Sequence, residues 1–183
     1  MAKIGLRKLY YSNLSEAADG TPSYDGIKTL AKAVSSNLSV TNNSAELFAD
    51  DALAESDYSF ASGTLQLGCD DDSVFDELLN HTETSDEITF NATDAAPYVG
   101  VAQIVVKMVA GTLSYVAEIL NKVKFSEPNE ENATKGETVN FGTYTIEGKV
   151  HALANGQWKQ SKKFTTEADA VAYITTEFKA PTP

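Results

Sequence analysis

The segment from residue 99 to residue 109 limits what this chain can fold into more than any other stretch. It is apolar on both parities, with Val101 and Val105 on one and Ala102 and Ile104 on the other. Its β-branched side chains favour a strand over a helix. A strand that is apolar on both faces must be covered on both faces. The sequence therefore predicts a layered β protein in which this strand is enclosed by its own domain or covered by a neighbouring copy.

Alternating segments on either side extend the β pattern. Residues 6–14 alternate and are rich in Leu and Tyr, and residues 137–154 form a long alternating strand that follows an acidic, Pro-bearing turn. In residues 57–69 the apolar positions change parity, so one extra residue has to be absorbed, and we expect a β-bulge at Gly63. Asn155-Gly156 predicts a two-residue hairpin turn.

Two short helices complete the expected fold. Helical spacing of apolar residues follows Asp70-Asp71-Asp72-Ser73, and we expect Asp72 or Ser73 to cap this first helix. A closing helix begins at Thr166, with Asp169 in the capping-box position, and we expect its apolar stripe to include Ile174. The predicted fold class is mainly β, a β-sandwich or barrel-like fold with two short flanking α-helices.

Residues 41–56 look different from the rest. They are polar and acidic, with apolar residues confined to Leu47, Phe48 and Leu53 and a central pair of acids, Asp50 and Asp51. This composition predicts a long loop. The apolar residues either pin the loop to its own domain or become buried when copies associate.

Length, charge and cysteine content limit the class of protein. The 183 residues suit one domain, 1–183, although the terminal hairpin and helix, 155–183, could be peripheral. The formal net charge of −12 disfavours binding to nucleic acid and favours solubility. We expect no membrane span and no secretory signal. The single cysteine, Cys69, excludes an internal disulfide and is expected to be a small buried residue.

Residues suited to catalysis or metal binding are sparse. The chain has no phosphate-binding loop, no dinucleotide fingerprint and no nucleophile elbow. His81 and His151 are far apart in sequence, and we expect both to be structural. Lys159, Lys162 and Lys163 lie near Trp158, where a solvated face is favoured over a nucleic-acid contact. The sequence predicts no catalytic residue, no metal site and no cofactor.

Several segments, in order along the chain, are similar to the major tail tube proteins of long, non-contractile-tailed phages. They are IGLRKLYYSNL near the start, FADDALAES, APYVGVAQIVVK, KVKFSEPNEENATKGETVNF, and GQWKQSKKFTTEADAVAYI near the end. The resemblance implies a structural virion protein that is not an enzyme. It implies six-fold rings that stack into a tube around the tape measure protein, contact other tail proteins and let DNA pass without specific binding.

The resemblance also implies a location and a contact segment. Such proteins assemble in the bacterial host cytoplasm and reside in the virion tail. A long loop between early strands reaches the neighbouring ring, and by position this role falls on residues 43–56. The expected contact residues between rings or subunits are therefore Leu47, Phe48, Asp50, Asp51 and Leu53.

Two other functions compete with this hypothesis. A monomeric all-β module could bind carbohydrate or a protein ligand through exposed aromatic residues, for which the candidates are Tyr10, Tyr11, Tyr24 and Trp158. An enzyme with an unfamiliar site would have Glu127 and Glu130, near Pro128, as its best carboxylates.

Overall fold

A computed structural model describes residues 2–49, 52–85, 87–129 and 143–179. The protein is mainly β, with about 60% strand and 10% helix, which confirms the predicted fold class. Its elements, in chain order, are β1 (Ala2–Glu16), β2 (Pro22–Tyr24), β3 (Lys28–Thr29), β4 (Ala33–Ala49), β5 (Ala52–Cys69), α1 (Phe75–Leu79), β6 (Thr82–Thr84), β7 (Glu87–Thr89), β8 (Val99–Val109), β9 (Thr112–Ser126), β10 (Tyr144–His151), β11 (Lys159–Phe164) and α2 (Glu167–Glu177). In this part of the chain no helix is long and apolar enough to cross a membrane.

One antiparallel sheet organises the fold. Its strand order is β2-β1-β8-β9-β10-β5-β4, with β3 paired to β1 and β11 paired to β9, while β6 and β7 form a separate ribbon. The sheet curls, so that β4 lies against β1 without pairing with it. Leu9 of β1, Leu67 of β5 and Ile146 of β10 consequently meet in one core, which α1 closes with Phe75 and Leu78.

A second core lies on the other face of the same sheet. Ala102 and Ile104 of β8 are fully buried there against Ala170 and Ile174 of α2 and against Phe178, which follows the helix. Thus β8 is covered on both faces within its own chain over this region. The alternative in which a neighbouring copy covers these two residues is wrong, because α2 returns from the end of the chain to cover them.

Several local predictions are confirmed, and other predicted features occur at a different residue. The parity change in β5 occurs, but the extra residue is Ala61, since Thr41 pairs with Ser62 and Asn42 with Phe60. Thr166 caps α2, and its Oγ1 accepts from the backbone N–H of Asp169 at 3.2 Å. Helix α1 instead begins after Val74 with no side-chain cap.

The segment after β10 also differs from the predicted hairpin. The turn at residues 153–157 forms, with the Leu153 N–H donating to the Gln157 carbonyl. Strand β11 then pairs with β9 rather than with β10. Because β9 is 15 residues long, β10 and β11 can follow one another along the same edge. Residues 137–142, the first part of the long strand predicted for 137–154, lie outside the described residues.

Candidate interaction surfaces

The distal half of the β4–β5 hairpin extends as a two-stranded ribbon. Strand β5 pairs with β10 only from Gly63 to Cys69, whereas its pairing with β4 continues from Ser62 to the Ala49–Ala52 pair. We call residues 41–49 and 52–62 the arm. At about 3.3 Å per residue, nine paired residues span about 30 Å. Residues 41–46 and 56–59 are exposed on both faces of the ribbon.

The predicted contact residues fall in this arm. Leu47 and Phe48 belong to β4 and Leu53 to β5, with Phe48 and Leu53 directly opposite each other in the backbone register. Asp50 and Asp51 lie outside the described residues. The expectation of a loop here is wrong, because the segment forms paired strands. Its sequence lacks an apolar face, which is the signal that identifies most strands, and the ribbon is held by backbone pairing.

An aromatic stack anchors the base of the arm. The ring of Phe60 lies parallel to that of Trp158, with centroids 4.2 Å apart and an interplanar angle of 2°. The bulge at Ala61 makes this possible, because it turns Phe60 onto the core side of β5. Tyr58, two residues further out, has 63% of its surface exposed. The arm is therefore fixed at its base, and residues 41–46 and 56–59 are exposed beyond it.

Strands β1, β8, β9 and β11 form a four-stranded group that has an unpaired edge on each side. Over residues 2–8, β1 pairs with β8 alone, and β11 pairs with β9 alone among the described strands. All neighbours in this group are antiparallel. Because β1 and β11 run in opposite directions, the β11 edge of one copy could continue the β1 edge of another with the same antiparallel alternation. Unpaired edges of this kind are templates for strand pairing.

The face of these strands that lies opposite α2 is strongly basic. Lys3 pairs directly with Lys107, and Lys159 and Lys163 of β11, four residues apart, occupy the same face. We call this surface the lysine face. Its one carboxylate is Glu118, which is 7% exposed, receives a hydrogen bond from Gln103 and lies 3.2 Å from the Lys159 ammonium. Burial opposes the charge of Glu118, but these two partners outweigh it and lower the carboxyl pKa.

A cluster of ionisable side chains surrounds His81. Its Nδ1 lies 2.9 Å from Asp94 Oδ2 and its Nε2 lies 2.8 Å from Glu127 Oε1, although the second contact lacks hydrogen-bond alignment. Phe90 covers the ring at 4.4 Å between centroids. Burial lowers the imidazole pKa, but the hydrogen bond to Asp94 and the charge of Glu127 outweigh it, and the pKa is raised overall. The arrangement suits a buried ion pair that ties three segments together.

Other residues considered for chemistry are placed as follows. Within the described residues, no group of three His, Cys, Asp or Glu side chains could hold a metal ion. Cys69 is buried, and burial raises the pKa of its thiol to about 11. Glu127 pairs with His81, and Glu130 lies outside the described residues. The pairing of His81 with Asp94 and Glu127 was not readable from sequence, since the three lie on separate loops.

The aromatic residues proposed for a ligand surface are mostly unsuited to it. Tyr11 and Tyr24 are 2% and 5% exposed, Tyr10 packs on the second core, and Trp158 is stacked on Phe60. The expectation that Tyr11 and Tyr24 are exposed is wrong, because Tyr11 points into the first core and Tyr24 packs against Phe178 in the second. These four residues form no exposed aromatic platform.

An open cleft of about 500 Å³ lies beside the start of α2. It is lined by Arg7, Lys8, Lys32 and Glu167, among others. Glu167 accepts a hydrogen bond from Arg7 at 3.0 Å and lies 3.6 Å from the Lys8 ammonium. The cations of this cleft are thus already partly neutralised by the protein itself.

Comparison of the chain with protein-family models and with curated proteins returned no match to either.

Proposed function

We propose that this protein is a subunit of the tail tube of a long, non-contractile-tailed phage. In this function it forms six-fold rings that stack around the tape measure protein and contact other tail proteins, and DNA passes through the lumen without specific binding. The protein would assemble in the cytoplasm of a bacterial host and reside in the virion tail. The resemblance of several segments, in order along the chain, supports a tail tube as the assembly. The arm supports contacts between copies of the chain.

The arm is the observation that carries the proposal. A two-stranded hairpin without a third strand or an apolar cover is at best marginally stable in water. Here such a ribbon extends well beyond the last residue paired with β10, and its described residues beyond Phe60 are exposed. Contacts with other copies would stabilise it. Burial of Tyr58 and Val40, which are 63% and 40% exposed, would contribute apolar area to such contacts.

The unpaired edges support closure into a ring. The edge of β1 and the edge of β11 are different surfaces on opposite sides of one four-stranded group. A contact between two different surfaces is heterologous, and repetition of a heterologous contact gives a closed ring when the rotation permits it. Exposed apolar side chains at the same end of these strands, Ile4, Met108 and Leu113, are suited to burial in such a contact.

Assembly of the purified full-length chain tests the proposal. We expect rising protein concentration to produce tubes of uniform width in negative-stain electron microscopy and fast-sedimenting species in sedimentation velocity. In a matched variant, residues 45–57 are replaced by Asn-Gly, which joins the directly paired Ser44 and Tyr58 through a two-residue turn. This variant should remain a folded monomer. A wild-type chain that stays monomeric even with tail initiation components present would refute the proposal.

A further inference from the structure

Three lysines on the lysine face form no close ion pair within the described chain, although the charge of one of them, Lys3, helps to lower the pKa of Glu118. Lys159 pairs with Glu118, but no carboxylate of the described residues lies within ion-pair distance of Lys3, Lys107 or Lys163. This concentration of positive charge stands out in a chain with a formal net charge of −12. Lysines elsewhere on the protein, such as Lys28 and Lys122, are matched with carboxylates of their own chain.

The arrangement of these lysines opposes the stability of the isolated chain. Lys3 and Lys107 are directly opposite each other on neighbouring antiparallel strands. Like charges in this position repel and destabilise the pair. Lys163 adds a third positive charge on the same face, directly opposite Val116 of β9. An acidic partner placed over this face would remove the repulsion.

The arm has the complementary charge. Between Thr41 and Ser62 the sequence contains Glu46, Asp50, Asp51, Glu55 and Asp57 and no lysine or arginine. Its shape is also suitable, because a two-stranded ribbon can lie flat on the face of a sheet. The arm of the same chain leaves the lysine face uncovered, since residues 56–59 are exposed. A second copy therefore provides the acidic partner at equal concentration.

We propose that the arm of one copy docks on the lysine face of another copy. This inference rests on the proposed function, because it names the surface that receives the arm during assembly. Electrostatic attraction selects the face and sets the register, and burial of Tyr58 adds apolar area. The association should weaken as ionic strength rises, because exposed charges are screened.

A charge exchange tests the pairing in assembling protein. Reversal of the face by Lys107→Glu with Lys163→Glu is expected to raise the protein concentration needed for tubes about tenfold or more, because like charges then meet across the contact. Glu46 lies on the same face of the ribbon as Tyr58, so reversal of this arm charge by Glu46→Lys should do the same. Combined with the reversed face, it should restore assembly. The control Lys162→Glu changes a lysine on the opposite face of β11, beside Tyr173, and should leave assembly near the wild-type level.

Disulfide trapping tests the contact whether or not tubes form. Two full-length variants, Glu46→Cys and Lys163→Cys, are mixed at high concentration and oxidised. The native Cys69 can stay, because it is buried and its pKa is raised to about 11. We expect a cross-linked heterodimer with this pair and about tenfold less with Glu46→Cys and Lys162→Cys, in which the second thiol lies on the other face of β11.

The outcomes separate the two proposals. Tubes that survive both charge reversals, or equal cross-linking to Lys163→Cys and Lys162→Cys, overturn the docking of the arm on the lysine face and leave the tube proposal standing. Selective cross-linking without tubes supports the docking and counts against the tube. A chain carrying both Glu46→Cys and Lys163→Cys that cross-links only within itself shows that the face receives its own arm, which also overturns the inference.

Discussion

Replacement of Phe60 by alanine should destabilise the protein by about 2 kcal/mol. Truncation of a fully buried phenylalanine costs about 3–5 kcal/mol. Phe60 is half-buried, so roughly half of that cost applies, and its stack on Trp158 accounts for about 1 kcal/mol of it. With a slope of about 2 kcal/mol per molar urea, the midpoint of unfolding should fall by about 1 M.

The chain contains a single tryptophan, which makes the measurement specific. Tryptophan fluorescence therefore comes from Trp158 alone and reports on its stack with Phe60. In Phe60→Ala the indole gains water on one face, so its emission maximum should move to longer wavelength in the folded state. Tyr58→Ala is the matched control, because Tyr58 lies two residues further along the same strand but is 63% exposed. Its effect should stay within about 0.5 kcal/mol.

A small effect of Phe60→Ala would refute this reasoning. If the unfolding free energy changes by less than about 0.5 kcal/mol and the emission maximum is unchanged, the stack does not anchor the base of the arm. An equal loss in Tyr58→Ala would mean that the outer arm is packed on the body of the same chain. Either result would remove the basis for treating the arm as a free ribbon with a fixed base.

Three further measurements test other parts of the structure. Ile174→Ala should cost about 3 kcal/mol in urea unfolding of the monomer, because α2 covers β8 within the chain; a loss seen only in assembled protein would contradict this. The pKa of His81 is raised in the folded state, so the ion pair stabilises the protein fully below the ordinary histidine pKa near 6.5, and this stabilisation is lost as pH rises through the folded pKa. His81→Gln should therefore destabilise the protein more at pH 6 than at pH 9. Equal losses at the two pH values would refute the ion pair. Leu47→Asp with Phe48→Asp should leave a folded monomer, by circular dichroism, that forms no tubes in negative stain; tubes of normal length would show that these residues are not required for stacking.

The strands with an apolar face were predictable because burial selects their side chains. Val101 and Ile104 signalled a strand covered on both faces, and the structure provides both covers. The parity change in β5 was also visible, since Phe60 and Leu65 could not share a face without an extra residue. The position of the bulge at Ala61 rather than Gly63 was not visible in the sequence, because the register of the partner strand selects a bulge as much as the bulged residues do.

The arm could not be recognised as a pair of strands from its own residues. Its pairing rests on backbone hydrogen bonds, and those are available to almost any sequence. Polar side chains that remain in water on both sides leave no alternation to detect. The composition therefore predicted a loop, and the structure places residues 41–49 and 52–62 in register opposite one another.

The sequence by itself determined that this protein is mainly β, that Thr166 caps α2, and that Cys69 is buried. Each of these features depends on a local pattern, because residues close together in the sequence indicate whether a side chain is buried or caps a helix. Only the tertiary structure decided that β11 pairs with β9, that α2 covers β8, and that Lys3, Lys107 and Lys163 share one face. Those relations join residues far apart in the chain, and their register is set by how the whole sheet curls around its core.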